Sequence, residues 1–299
     1  MMSKTKVGEF EQLAKGLYLE GLTVDYSRGI VWFSDVIAGG IYGVDAGGGL
    51  TDLNADRMWI GGLMMNQDGS VLSSGRGGIM WNNPDTRKSG WLISEIDGTP
   101  INGINEMMPD GTGGIYFGTI DLDNIVNGKP TRPAAIYRLT AKGETILVAE
   151  GLGLVNGIML STDRRHLYCN ETFDATYVYD VAADLSLRNR RVLLKKEDCD
   201  GLALDAEANL WITGFRSSEL TRAKPDGSRL PSVPTPAGAI TQIRFGGPDM
   251  RDYYLTCVPA DGGDGLAVGV RPTEQRSTLY RGRSEVAGMP LAPAQFTLK

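Results

Sequence analysis

Glu20, Asn105, Asn156 and Asp200 are the side chains of this 299-residue chain whose types and spacing could do chemistry together. They lie at the heads of short apolar runs, LEGLTVD, INEMMPD, VNGIMLS and CDGLALD. A carboxylate at the threshold of an apolar strand is costly if nothing pairs with it, so either it lies in solvent or something holds it. Two carboxylates and two amide oxygens meeting at one point would form a hard oxygen cage for a divalent cation. Such a cation polarises a carbonyl or phosphoryl oxygen and lowers the pKa of bound water from about 15.7 towards about 7. Opening an ester or lactone then needs only a base within hydrogen-bond reach, and Asp200 is the candidate. If Asp200 is itself a ligand its pKa is depressed, which makes it a nucleophile or water-positioner instead.

The elements that must bring these residues together repeat along the chain. Six segments share one shape: YLEGLTVDYSRGIVWFSD, WIGGLMMNQDGSVLSSG, GINEMMPDGTGGIYFGT, LVNGIMLSTDRRHLYCNE, DCDGLALDAEANLWITG and AITQIRFGGPDMRDYYLTC. Each is an apolar run, a polar turn around Asp, Gly or Asn, and a second apolar run ending in small or polar residues, which is the pattern of a β-hairpin. The positions equivalent to Glu20 are Gly61, Asn105, Asn156, Asp200 and Thr241, at intervals of 41, 44, 51, 44 and 41 residues. Such periods mark an array of four-stranded units.

A third strand is expected between hairpins, in IYGVDAGGG, WLISEIDGT, AIYRLTAKGE, TYVYDVAADL, ELTRAKPDGS and TLYRGRSEV. Helical periodicity is nowhere sustained. The expectation is therefore an all-β, six-bladed β-propeller with the first strand of each blade lining a central channel. VGEFEQLA, near the amino terminus, is expected to supply the outer strand of the last blade and close the ring. The six equivalent positions would then lie at the mouths of the inner strands, where Glu20 is held by a metal.

Composition narrows the partners. With 30 basic and 36 acidic residues the formal charge is −6, which argues against a nucleic-acid or anionic-membrane surface and leaves a small-molecule substrate. Cys169, Cys199 and Cys257 cannot all pair within the chain and show no C-x-x-C spacing, so neither a disulfide framework nor a thiolate zinc site is expected. MMSKTKVGEFEQ has no apolar core of a signal peptide, and no run is long enough to span a membrane, so the expected location is the cytoplasm. The 40 glycines are spread along the chain as turn residues, and no Pro/Ser-rich seam divides it, which favours a single domain over 1–299.

The motifs LEGLTVD, NEMMPDGTGGIYFGT, VNGIMLSTDRRHLY and CDGLALDAEANLWIT resemble those of the senescence marker protein, gluconolactonase and luciferin-regenerating-enzyme-like family over almost the whole chain. The resemblance implies a six-bladed propeller and a metal-dependent lactonase, with organophosphate hydrolysis known in a related propeller. Residue by residue it implies that Glu20, Asn156 and Asp200 bind one divalent cation, calcium first and zinc, manganese or magnesium next. It further implies that Asn105 touches substrate or a metal-bound water, and that Asp200 doubles as base or nucleophile. One position departs from the pattern: sugar-lactonase members tend to carry arginine two residues before the equivalent of Asn105, and this chain has Gly103. With Met64, Met65, Met107 and Met108 close behind the mouth, the expected pocket is apolar and adaptable, suited to an apolar or aromatic lactone or enol-lactone. Met64 and Met107 are accordingly candidate substrate contacts.

The remaining chemical residues read more plainly. His166, the one histidine, sits far from the mouth in the hairpin pattern, which removes Ser-His-Asp and Cys-His mechanisms. Cys199 points away from Asp200 by the period of two and is read as packing. GTGG and AGGG are turns, not phosphate loops, because neither opens a helix. TIDLDNIVNGK is long enough to overhang the channel, where Asp121 and Asp123 could contact substrate. Alternatives to a lactonase are an isomerase or lyase using the same metal, an organophosphate hydrolase, or a non-catalytic, calcium-stabilised ligand-binding propeller.

Overall fold

The computed structural model describes residues 6–267 and 270–299. Six four-stranded antiparallel sheets follow one another as the blades of a β-propeller. Their inner strands are Leu19–Asp25, Ile60–Met65, Ile104–Pro109, Leu154–Leu160, Cys199–Leu204 and Ala239–Gly246, and each touches the next around the ring. The expected architecture is thus the observed one.

The inner hairpins form because aspartate supplies what a tight turn lacks. Asp110 Oδ1 accepts the backbone N–H groups of Thr112 at 2.7 Å and Gly114 at 3.0 Å. Asp205 Oδ1 does the same for Glu207 at 3.0 Å and Asn209 at 2.9 Å. A carboxylate capping its own turn replaces the backbone partners that the chain reversal removes. On either side, apolar side chains such as Leu22, Leu63, Ile104, Ile158 and Leu202 are buried between blades, each stabilising the fold by roughly 1.5–3 kcal/mol.

One blade is laid out differently from the sequence reading. WLISEIDGT does not form the third strand of the second blade; that strand is Ile79–Asn82, and Ser89–Ile93 is the fourth. Gly77 and Gly78, both at positive φ, turn the chain back at once after Val71–Gly75, and the rest of WLISEIDGT enters a small hairpin, Glu95–Ile96 with Thr99–Pro100. The extra hairpin masked the repeat.

The ring closes as expected. Glu11–Gly16 pairs antiparallel with Ser277–Arg283 as the outermost strand of the sixth blade, a few residues later than VGEFEQLA suggested. A second closure was not foreseen. The segment after the last strand runs across the turn end of the propeller, where Met289 N–H donates to Leu204 O, Ala294 N–H to Met65 O and Gln295 N–H to Gly113 O. Phe296 and Asn66 exchange two further bonds, of 2.9 and 3.0 Å.

Candidate functional site

All six inner strands break register where the site residues stand. The shifts fall between Leu19 and Leu22, Ile60 and Leu63, Ile104 and Glu106, Val155 and Ile158, Cys199 and Leu202, and Ile240 and Gln242. A β-bulge inserts an unpaired residue and re-aims its side chain. Glu20, Asn105, Asn156 and Asp200 occupy four of these bulges, and all four line one cavity of about 790 Å³ at the strand-entry end of the channel. Gly61 occupies the fifth bulge and also lines the cavity, while Thr241 in the sixth is fully buried.

Glycine beside the bulges lets the blades crowd the axis. A Cβ on Gly21 would lie 1.9 Å from Gly61 O, and one on Gly157 2.6 Å from Asp200 O. The strands are then tied by polar side chains from the second strands. Thr256 Oγ1 donates to Glu20 O at 2.7 Å, Ser74 Oγ to Asn105 O at 3.0 Å, and Asn170 Nδ2 to Asp200 O at 2.8 Å. Each site residue with a tied carbonyl is therefore fixed by the preceding blade. The signal was present in the polar endings of the second runs, SSG, CNE and LTC, but their partners lie on other blades.

The two amides are also fixed. Asn156 Nδ2 donates to Thr172 Oγ1 at 2.7 Å, and Thr172 Oγ1 in turn donates to Cys199 O at 2.6 Å. The carboxylates of Glu20 and Asp200 accept no hydrogen bond from the described residues. Asp200 is 4% exposed, and Glu20 keeps part of its surface open to the cavity. Burial first, and then the charge of Glu106, pushes the Glu20 carboxyl up to about 8 in the metal-free protein. Asp200 is raised well above the carboxylate range by burial, then by Glu20 and Glu106.

Glu106, which the sequence reading passed over, lies deeper in the channel. It is 3% exposed; its Oε2 accepts Gln242 Nε2 and lies 3.5 Å from Arg244 Nη2, while Arg244 Nη1 donates to Gln242 Oε1 at 2.6 Å. Burial raises the Glu106 carboxyl, and the guanidinium of Arg244 opposes that rise. The charge of Glu106 in turn acts on both Glu20 and Asp200.

These observations bear on whether a cation fits. Among the described residues no group of three or more His, Cys, Asp and Glu stands ready to hold a metal. The available donors are instead two unpartnered carboxylates, Asp200 buried and Glu20 half-buried, with amide oxygens beside them. An all-oxygen set suits hard cations of the calcium, magnesium and manganese kind and lacks the imidazole and thiolate that zinc favours. In chemistry, the residues fit a hard divalent ion.

The mouth is apolar. Trp59, Ile104, Leu154, Phe173, Phe215 and Leu266 line it, and the short helix Leu122–Val126 from the third blade meets the short helix Gly262–Ala267 from the sixth above it. The overhanging loop is therefore real: Ile120, Leu122, Ile125, Gly128 and Lys129 all face the cavity. Asp121 does not. Its carboxylate takes Arg132 Nε and backbone N–H, each at 3.0 Å, and Asn124 Nδ2 at 2.7 Å, which staples the loop and holds its pKa low. Asp123 is likewise engaged, by Arg76 at 2.6 Å and Asn102 at 2.5 Å.

Met64 and Met107 also stand elsewhere than the sequence reading expected. Both are buried in the core shared by the second and third blades, against Ile104, Phe117 and Leu139, and neither lines the cavity. Loop aromatics provide the apolar wall in their place. Gly103 has a steric reason: a Cβ there would lie 2.8 Å from Ile120 Cγ2 and 3.1 Å from Leu122 Cβ. His166 sits at the outer end of its hairpin, with Nε2 3.7 Å from Asp180, and Cys199 is fully buried.

Similarity to known proteins follows the same architecture. A solved luciferin-regenerating enzyme superposes with a TM-score of 0.81 over 97% of this chain and 99% of its own, at 19% identity. Pentonolactonase XacC of Haloferax volcanii is 26% identical over 271 residues, covering 87% of this chain and 88% of that protein. Regucalcin of Danio rerio is 30% identical over 179 residues, covering 57% of this chain and 59% of that protein. The family model described as the SMP-30/Gluconolactonase/LRE-like region matches residues 19–258, which contain all four bulge residues Glu20, Asn105, Asn156 and Asp200, and the chain belongs to this family.

Proposed function

We propose that the protein is a metal-dependent lactonase that opens an apolar or aromatic lactone in the cavity above Glu20 and Asp200. The observation that carries this reading is the pair of carboxylates, re-aimed by bulges on two blades, that find no protein donor. Glu20, Asn156 and Asp200 hold the cation, which when bound would polarise the lactone carbonyl and acidify water. Asp200 receives the proton of the attacking water or orients that water. Both N–H groups of Asn105 are committed, to Asn156 and to Val155 O, so it offers only its Oδ1 acceptor to the substrate side. The similarity to a pentonolactonase supports the lactone bond as the target. The apolar wall and the closed position at Gly103 support a less polar ring than a sugar lactone.

The test is a panel of lactones, aryl esters and phosphotriesters on chelator-stripped protein, with calcium, magnesium, manganese or zinc added singly. Lactone turnover that appears only with added cation is expected. A blank panel with every cation would favour a propeller that binds a ligand without converting it.

A further inference from the structure

Among the described residues at positive φ, two are aromatic, Trp59 at +59° and Phe173 at +75°, and both line the cavity. A bulky side chain in the left-handed region is an outlier that persists only where the surroundings impose it. The turn chemistry sharpens the point for Phe173. Asp174 N–H donates to Glu171 O at 3.0 Å, so Phe173 is the third residue of a tight turn, where positive φ favours glycine or asparagine. The phenylalanine contributes little to the core in return, because it is 63% exposed. Trp59 enters the second blade between Val36 O, which accepts its N–H at 2.8 Å, and Arg76, whose N–H it accepts at 3.0 Å. Its ring is half-buried against the cluster of Tyr18 and Val36. An arginine stands over each ring, Arg271 at 5.6 Å from Trp59 and Arg216 at 5.9 Å from Phe173.

We infer that Trp59 and Phe173 are specificity-determining residues: strained aromatic walls, on the second and fourth blades, that hold the flat ring of an aryl-fused lactone over the carboxylates. The inference rests on the lactonase reading for its substrate. Its core, a subsite for a planar aromatic ring, stands on the two strained rings. Aromatic faces prefer stacked or edge-on partners, so the subsite favours a fused benzene ring over an alkyl chain of equal size.

The experiment compares kcat/KM for dihydrocoumarin with that for δ-valerolactone in the parent, Phe173→Gly, Phe173→Leu and Trp59→Leu. The aryl-to-alkyl ratio should fall about tenfold in each variant, the fold-change of a lost ring–ring contact with its burial. Phe173→Gly should keep or raise the melting temperature, because glycine removes the backbone strain. A ratio unchanged within about twofold in all three variants would overturn the inference. If the parent opens no lactone, the lactonase reading fails by itself, and the ring subsite is judged by calorimetric titration with 2-oxindole, a flat lactam that is not hydrolysed. Binding about tenfold weaker in Phe173→Gly than in the parent supports the subsite; equal binding in the two overturns it.

Discussion

Asn105 Nδ2 donates to Asn156 Oδ1 at 2.6 Å, and the same nitrogen donates to Val155 O at 2.9 Å. One amide thus aims the other from the neighbouring blade, in the way that outer-shell partners orient metal ligands. Asn105→Leu should weaken divalent-cation binding by roughly 10–100-fold, read by calorimetric titration of the stripped protein. Unchanged affinity would mean that Thr172 alone holds Asn156 in place.

Asp200 and Glu20 should respond differently to loss of charge. Asp200→Asn keeps an oxygen of similar shape while removing the base, so turnover should fall about 10²-fold or more even at saturating cation. Glu20→Gln, a ligand in the proposed site, should recover much of its activity with excess cation. Metal titrations of turnover compare the two directly, and equal rescue of both variants would leave Asp200 as a ligand only.

The metal-free protein should become less stable as pH rises. Glu20 titrates near 8 in the folded chain against an ordinary value of 4.5, and Asp200 is shifted in the same direction. The native state therefore binds more protons than the unfolded state in that window, and stability falls as pH climbs through it. Urea midpoints in chelator should drop between about pH 5 and about pH 8, and saturating calcium should flatten or reverse the slope because the bound ion needs charged ligands. A flat profile in chelator would show that Glu20 titrates as it does in water.

Glu106 and Arg244 should behave as a buried pair. Glu106→Gln leaves the guanidinium unpaired at 2% exposure, and breaking such a pair costs about 3–5 kcal/mol. Glu106→Gln combined with Arg244→Met should be more stable than the Glu106→Gln single variant, by chemical denaturation. Strict additivity of the two losses would show that the pair is not coupled.

Gly103→Arg should not create a sugar lactonase. The side chain would have to displace Ile120 and Leu122, and overpacking of this kind costs about 1–3 kcal/mol. Lower stability with no gain on gluconolactone is the expected outcome. A tenfold or greater rise in kcat/KM on gluconolactone would show that the loop yields and that the missing arginine alone sets the preference.

The sequence was most informative where the fold repeats itself. Glu20, Asn105, Asn156 and Asp200 could be aligned because each sits at the same bulge of the same hairpin, and the hairpin is fixed by local turn chemistry. Met64 and Met107 were misplaced because strand alternation says which face a residue takes, while tertiary packing decides whether that face meets the channel or the next blade. Glu106, next to Asn105, was passed over, because its partners Gln242 and Arg244 are more than 130 residues away. Phe173 lies just past the end of its repeat and Trp59 at the very head of its own, where no periodicity registers a side chain and only backbone geometry reveals the strain.

The far end of the channel has a consequence for traffic. Glu106, Gln242 and Arg244 fill the axis below the cavity with almost no surface reached by solvent, and the carboxy-terminal strap lies across the turns beneath them. A propeller is often drawn as a ring with a hole; this one is a cup. In the proposed lactonase, whatever enters the cavity at its mouth must leave by the mouth, so a ring-opened acid and the next lactone share one passage. Departure of the first guest is then part of the cycle, and product should compete with substrate for a single vacancy.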